Sequence, residues 1–126
     1  MLLPLHGMAS KHEVRLARVY EEPEPGEGHR VLVDRLWPRG LRKDDPRIGQ
    51  WLPEVAPSTE LRRWYGHAPE RYDEFVERYT AELETPAAAA ALDELRGIVR
   101  AGPVVLVTAT KEIELSHLSV LAGLLA

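Results

Sequence analysis

A basic segment near residue 35 has the residue types of an anion-binding site. Residues 29–43 carry five Arg and Lys side chains against a single carboxylate, Asp34. Arg35 and Arg39 present planar guanidinium groups that suit carboxylate or phosphate oxygens, and Trp37 between them offers a flat face for stacking. We predict that Arg35, Trp37 and Arg39 bind a small anionic or nucleotide-like ligand. The alternative is structural: Asp34 and Arg35 pair with neighbouring loops, and Trp37 belongs to the core.

Two histidines are candidates for proton transfer, because imidazole titrates near neutral pH. His67 follows Gly66 and precedes Pro69 in a turn between predicted helices, where a side chain can project into a cleft. His117 lies on the apolar stripe of the last predicted helix, a placement that is also typical of a buried core histidine. Asp34 would orient a histidine or an arginine. If the protein is an enzyme, we predict Asp34, His67 and His117 as its catalytic residues.

Three further polar residues are predicted to bind the ligand, each with helix capping or solvent exposure as a simpler alternative. Thr110 and Lys111 follow the apolar run 104–107 and precede the last predicted helix. A helix N-terminus attracts anions, and Lys111 would add a positive charge. The glycine spacing of a phosphate-binding loop is absent, and a cap explains Thr110 as well. Ser58 lies near the predicted cleft, but it also has the position of a helix N-cap.

Composition excludes several classes of chemistry. The chain has no cysteine, which excludes disulfides, thiolate nucleophiles and cysteine-ligated zinc. It also lacks HxH and HExxH spacings, so no metal site is predicted, and no cofactor is indicated. The net charge of −4 disfavours general binding to nucleic acid, because phosphate neutralisation supplies much of that affinity. No apolar run approaches the roughly 20 residues of a membrane span, and we expect a cytoplasmic protein.

The apolar pattern predicts the elements that must position these residues. Alternation over residues 14–20 and an apolar run at 30–33 predict two strands, and the β-branched run 104–107 predicts a buried one. Helices are predicted after Ser58 as far as Gly66, from Pro69 to about residue 83, from Pro86 to Gly102, and after Thr110. The side chains predicted to be largely buried are Trp64, Phe75, Val76, Tyr79, Leu95 and Leu121.

Strands separated by helices predict a single-domain α/β fold, with a small, mainly parallel sheet flanked by helices on both faces. Ligands of such sheets bind beyond the carboxyl ends of the strands, so residues 34–43 and 108–111 are expected to converge there. The link between the first two strands is short for a parallel crossover, which leaves their relative direction open. Residues 1–13 are predicted to be a flexible extension, with Met8 as an alternative start, and residues 14–126 to be the domain.

Four strings in the chain resemble a known family. The segments 18–20, 30–40, 56–62 and 64–69 are similar to the YeaO-like branch of the domain-of-unknown-function family 488, and the resemblance runs from about residue 15 to residue 125. It implies a small bacterial or archaeal α/β protein without an established reaction. The family string Asp-Arg-Leu-Trp-Pro-Arg-Gly falls on residues 34–40, its Pro-Ser on residues 57–58 and its Gly-His on residues 66–67.

The C-terminal part departs from the family pattern. There the family has a strand, then Ala, a basic residue and an Asp or Asn, and shortly afterwards an Asn-His pair. Ala109 and His117 match, but Ser116 stands in place of the Asn, and Thr110 with Lys111 replaces the basic–acidic pair. The resemblance therefore implies a protein that could bind its ligand without turning it over.

Two hypotheses about function remain open. The first is an enzyme, or degenerate enzyme, that holds a small anionic or nucleotide-like molecule. The second is a non-catalytic binding module that recognises an acidic protein segment or a nucleic-acid end. A pocket that gathers Asp34, both arginines and a histidine would favour the first, whereas a convex arrangement would favour the second. The sequence leaves the oligomeric state open.

Overall fold

The structure is a computed structural model, and it describes residues 13–126. The predicted N-terminal extension, residues 1–13, therefore lies outside the described residues except for Glu13. The strands are β1 (Val14–Arg18), β2 (His29–Leu32), β3 (Gln50–Trp51) and β4 (Val104–Thr108). The helices are α1 (Thr59–Tyr65), α2 (Tyr72–Glu82), α3 (Pro86–Ala101) and α4 (His117–Leu125). Single 3-10 turns lie at Pro53–Val55, Pro69–Arg71 and Ile113–Leu115.

The strands form one parallel sheet in the order β1-β4-β2-β3. β4 is central, with Leu106 opposite Leu16 on one side and opposite Val31 on the other. All five residues of β4 are buried, as its unbroken apolar run predicts. The open question about the first two strands is settled by β4, since both run parallel to it and therefore to each other. The mainly parallel α/β sheet is confirmed.

Within residues 13–126, the helices cover one face of the sheet and not the other. Val31, Val33, Val104 and Leu106 point to that face and pack in one core with buried residues from all four helices. The opposite face carries Leu32, Val105 and Val107, covered by Val19, Ile48 and partly buried side chains of the loops. The expectation of helices on both faces is therefore wrong. The segments 19–28 and 34–49 are rich in Pro and Gly and lack a helical period, so they cover the second face as loops.

Local signals placed two helix ends correctly. The Ser58 hydroxyl accepts a hydrogen bond from the Leu61 N–H at 3.1 Å, and Gly66 ends α1 with a left-handed φ of 55°. Pro69 begins the 3-10 turn that precedes α2 rather than α2 itself.

The predicted core is confirmed at four of its six positions. Phe75, Tyr79, Leu95 and Leu121 are buried. Trp64 and Val76 are only half-buried and pack against the edge of the core. Two guanidinium groups explain the position of Trp64, because Arg78 lies 4.3 Å and Arg71 5.4 Å from the centre of its ring.

The last helix begins later than its sequence pattern predicts. α4 starts at His117, and the Ser116 hydroxyl caps it by accepting a hydrogen bond from the Leu118 N–H at 3.1 Å. The Thr110 N–H donates instead to the Thr108 hydroxyl. Thr110 is therefore not the cap, and Lys111 is not at a helix N-terminus. Ser116 is the cap because its backbone is extended and its hydroxyl lies within hydrogen-bond distance of the Leu118 N–H.

Candidate functional site

A cavity of about 480 Å³ opens beyond the carboxyl end of β2. Its wall is built from the segment after β2, the loop before α1, α1 itself and its C-terminal turn, and the start of α4. This is the edge of a parallel sheet at which ligands bind in open α/β folds. The cavity therefore lies where the two polar segments of the sequence were expected to converge.

Five of the nine sequence-predicted site residues line this cavity. They are Asp34, Arg35, His67, Thr110 and His117. The other four lie elsewhere: Trp37, Arg39, Ser58 and Lys111. Residues 34–43 and the loop after β4 thus contribute to the site only through the positions nearest to the strand ends.

Each of the four missing residues has another position or role in the fold. Trp37 packs on the loop-covered face, edge-on to Trp51 at 5.4 Å, and donates its indole N–H to the Leu41 carbonyl. Arg39 is exposed, and its backbone carbonyl accepts a hydrogen bond from the Tyr20 hydroxyl.

Ser58 and Lys111 are likewise outside the cavity wall. The Ser58 hydroxyl and N–H both donate to the Glu82 carboxylate, at 2.6 and 2.8 Å. Ser58 thereby fastens the loop before α1 to the end of α2 while it caps α1. Lys111 is exposed to solvent in the loop that precedes α4.

Asp34 is the best-anchored polar residue of the site. Its carboxylate accepts hydrogen bonds from the Thr108 hydroxyl at 2.7 Å and the Ala109 N–H at 2.8 Å, and it lies 3.3 Å from His117 Nε2. Burial by itself raises the pKa of Asp34. The contact with His117 and the two hydrogen bonds outweigh burial, so that the pKa of Asp34 lies below its usual value. The carboxylate is therefore ionised at neutral pH.

His117 is held in one orientation and one tautomer. Its Nε2 lies 2.9 Å from the Val33 carbonyl oxygen. Because a carbonyl only accepts hydrogen bonds, Nε2 carries the proton in the neutral ring. Within residues 13–126 no group forms a hydrogen bond with the other nitrogen, Nδ1, which then keeps its lone pair. The ring also meets Tyr79 edge-on at 6.1 Å, in the core beside the cavity.

Arg35 is the predicted arginine that reaches the cavity. Its Nη2 donates to the Ala56 carbonyl at 2.7 Å, which ties the segment after β2 to the loop before α1. Its Nε is buried without a hydrogen-bond partner among the described residues. The guanidinium is therefore held in place through its Nη2 atom.

Two cations of the site were missed in the sequence. Arg62 and Arg63, exposed on α1, also line the cavity. The signal was available: with Thr59 they occupy positions i, i+3 and i+4, which share one face of a helix. Within residues 13–126 no carboxylate forms an ion pair with Arg35, Arg62 or Arg63.

His67 lies at the edge of the same cavity, in the turn after α1. Its φ is 58°, a left-handed conformation that few residues other than glycine adopt, and it follows Gly66 with a φ of 55°. The turn is closed by a hydrogen bond from the Ala68 N–H to the Tyr65 carbonyl. Two successive left-handed residues turn the chain sharply here, and the exposed imidazole ring lies 5.9 Å from the Tyr65 ring.

The described part of the chain has neither a metal-binding cluster nor a membrane-spanning helix. Between residues 13 and 126, no three His, Asp or Glu side chains are placed to hold a metal ion together. Over the same residues, no helix has the length and apolar character that crossing a membrane requires.

Fold and site together define a small α/β protein with a cationic cavity at the carboxyl edge of a parallel sheet. The chain belongs to the family DUF488-N3i, described as the inactive DUF488-N3 subclade, which matches residues 13–126. The resemblance seen in the sequence is thereby confirmed.

Relatives of similar length support the same assignment. The chain is 54% identical to an uncharacterised protein of Mycobacterium tuberculosis over 118 residues, which covers 94% of this chain and 98% of the relative. It is 38% identical to the uncharacterised protein YeaO of Escherichia coli over 109 residues, covering 86% and 93% of the two chains. No solved structure matches the chain.

Proposed function

We propose that this protein binds a small anionic molecule in the cavity and does not convert it chemically. One observation carries the proposal: the guanidinium groups of Arg35, Arg62 and Arg63 line one concave site, and no carboxylate of residues 13–126 pairs with them. Guanidinium forks bind carboxylate and phosphate oxygens through pairs of charge-assisted hydrogen bonds. The concave arrangement favours a small molecule over an acidic protein segment, which would need an extended surface.

The three arginines have different roles in the proposed binding of an anion. Arg35 is held by the Ala56 carbonyl, so little side-chain entropy is lost when its remaining N–H groups meet an anion. Arg62 and Arg63 extend from α1 and are exposed, so they can close over an anion at the mouth of the cavity. The one carboxylate in the wall, Asp34, already accepts two hydrogen bonds and lies 3.3 Å from His117 Nε2, so its oxygens are engaged within the fold.

The contacts of the Asp34 carboxylate support the absence of turnover. Its oxygens are taken by Thr108, Ala109 and His117, so its role in the fold is to join strand ends. The family is described as inactive. Thr110 and Lys111 also stand where the family resemblance implies a basic–acidic pair, and Ser116 stands where it implies Asn.

A second candidate function is general-base catalysis by His117. The observation that favours it is the fixed ring, with the proton on Nε2 and a lone pair on Nδ1 beside the cavity. A neutral imidazole held in this way can accept a proton from a bound molecule. The two candidates differ in a single measurable property, the chemical fate of the bound molecule.

The binding test is a thermal-shift screen against phosphates, carboxylates and nucleotides, followed by calorimetric titration of the best ligand. A ligand at 100 times its Kd adds about 2.7 kcal/mol of stability. We expect the double variant Arg62→Gln, Arg63→Gln to weaken binding by at least tenfold, because each charge-assisted hydrogen bond contributes roughly 1.5–3 kcal/mol.

The matched control is Arg100→Gln, on the exposed surface at the end of α3 and outside the cavity wall. The proposal fails if no anion binds, or if Arg100→Gln weakens binding as much as the double variant does. NMR spectra of the bound ligand recorded during prolonged incubation test turnover. Unchanged ligand signals support binding alone, and a new product that disappears in His117→Gln supports the enzyme.

A further inference from the structure

We infer that the ligand is an organic anion with an apolar group beside its carboxylate or phosphate, and that Leu36 binds this group. The inference rests on the proposed function and specifies the class of ligand. Leu36 is 65% exposed, more than the other large hydrophobic side chains that the structure describes as exposed. It also lines the cavity, next to Arg35.

Leu36 is held in this exposed position by both of its neighbours. Arg35 is tied to the Ala56 carbonyl on one side, and Trp37 is tied to the Leu41 carbonyl on the opposite face of the sheet. The Asp34 backbone is fixed as well, since its carbonyl accepts a hydrogen bond from the Trp51 indole at 2.7 Å. With the chain anchored before and after it, Leu36 cannot turn into the core.

Leu36 shares the cavity wall with other apolar residues, which distinguishes it from an ordinary exposed leucine. Ala56 and Pro57 form part of the same cavity wall, and so do Tyr65 and Phe75, whose stacked rings have centroids 4.3 Å apart. A single exposed apolar residue needs no explanation. An exposed leucine in a cavity that also has apolar wall residues and three arginines without a carboxylate partner in the described part of the chain matches a ligand with one apolar and one anionic end.

The size of the cavity agrees with such a ligand. Its volume of about 480 Å³ lies within the roughly 300–1,000 Å³ of small-molecule sites. Those sites are mostly apolar, with a few polar groups that fix orientation. A bare phosphate or a short carboxylate would leave the part of the cavity beside Leu36 in contact with water. An apolar substituent on the anion would cover it.

The test compares three probes by calorimetric titration: inorganic phosphate, phenyl phosphate and benzoate. We expect phenyl phosphate to bind at least tenfold more tightly than inorganic phosphate, because covering about 55 Å² of apolar surface corresponds to roughly tenfold in Kd. In Leu36→Ala, the ratio of the Kd for inorganic phosphate to the Kd for phenyl phosphate should fall to about twofold. In the control variant Leu124→Ala, an exposed leucine on α4 outside the cavity, the ratio should remain at its wild-type value.

The outcomes separate this inference from the proposed function. Equal Kd values for phenyl phosphate and inorganic phosphate would overturn the inference and leave anion binding intact. No binding of any probe would overturn both. A ratio unchanged in Leu36→Ala, with wild-type circular dichroism and Tm, would remove Leu36 from the site. Tighter binding of either aromatic probe than of inorganic phosphate supports the inference. The aromatic probe with the lower Kd identifies the oxyanion as phosphate or carboxylate.

Discussion

The Asp34 carboxylate lies 3.3 Å from His117 Nε2, at the point where three elements meet. Asp34 follows β2, His117 begins α4, and the Thr108 hydroxyl that donates to Asp34 ends β4. Both side chains are largely buried, with 15% and 7% of their surface exposed. One pair of residues therefore closes the polar end of the cavity and holds the sheet edge together.

Replacing this carboxylate should cost a large part of the stability. In Asp34→Asn, the amide NH2 would face either the Ala109 N–H or the His117 Nε2–H as a donor against a donor, and the charge opposite His117 is lost. We expect the free energy of unfolding in urea to fall by about 2–4 kcal/mol. The control is Asp93→Asn on the exposed side of α3, with an expected change within about 0.5 kcal/mol. Equal effects of the two changes would show that Asp34 is not a structural anchor.

The contribution of Asp34 should depend on pH in one direction. Its pKa is lowered in the folded state, so its stabilisation is fully present above the unfolded value of about 3.9 and is lost as the pH falls through the folded pKa. The difference in unfolding free energy between the wild type and Asp34→Asn should therefore be constant from pH 5 to 7. It should shrink below about pH 4. Urea unfolding across this range measures it, and a gap that widens on acidification would contradict the lowered pKa.

Gly28 should be irreplaceable at the entrance to β2. Its φ is 120°, and a Cβ there would lie 2.5 Å from the Pro103 carbonyl oxygen, the same oxygen that accepts the His29 N–H. Because the obstacle is backbone, we expect Gly28→Ala to lower the free energy of unfolding by roughly 2–4 kcal/mol. Gly102→Ala is the matched control, since its φ is 170° and nothing lies within 4 Å of the added methyl. A loss there as large as at Gly28 would mean that the close approach is not the cause.

Two hydroxyl residues should differ in how much they stabilise α4. Ser116 caps the helix through the Leu118 N–H and also donates to the Ile113 carbonyl at 2.6 Å. Ser116→Ala should therefore cost about 1–2 kcal/mol, the range of a lost N-cap. Thr110→Ala should cost less than Ser116→Ala, because the Thr110 side chain does not cap α4. Thermal unfolding of both variants measures this, and the reverse order would restore Thr110 as the start of the helix.

Local sequence signals determined the elements whose boundaries depend on neighbouring residues. Ser58 and Gly66 bracket α1 because a cap hydroxyl and a left-handed glycine act within one turn of the helix. The sequence of β4 predicted a strand buried on both faces because every one of its residues is apolar or β-branched. The family resemblance likewise came from contiguous strings, and the family assignment bears it out.

Tertiary structure decided which of the candidate residues share a site. Arg35 and Arg39 look equivalent in the sequence, but only Arg35 reaches the cavity, because Trp37 between them is anchored on the other face of the sheet. Arg62 and Arg63 line the site because α1 packs, through Leu61 and Tyr65, into the core on the helix-covered face of the sheet. Convergence of this kind depends on the packing of elements far apart in the chain. Residues 34–43 have no helical or strand period, so the sequence does not show on which face of the sheet each of their side chains lies.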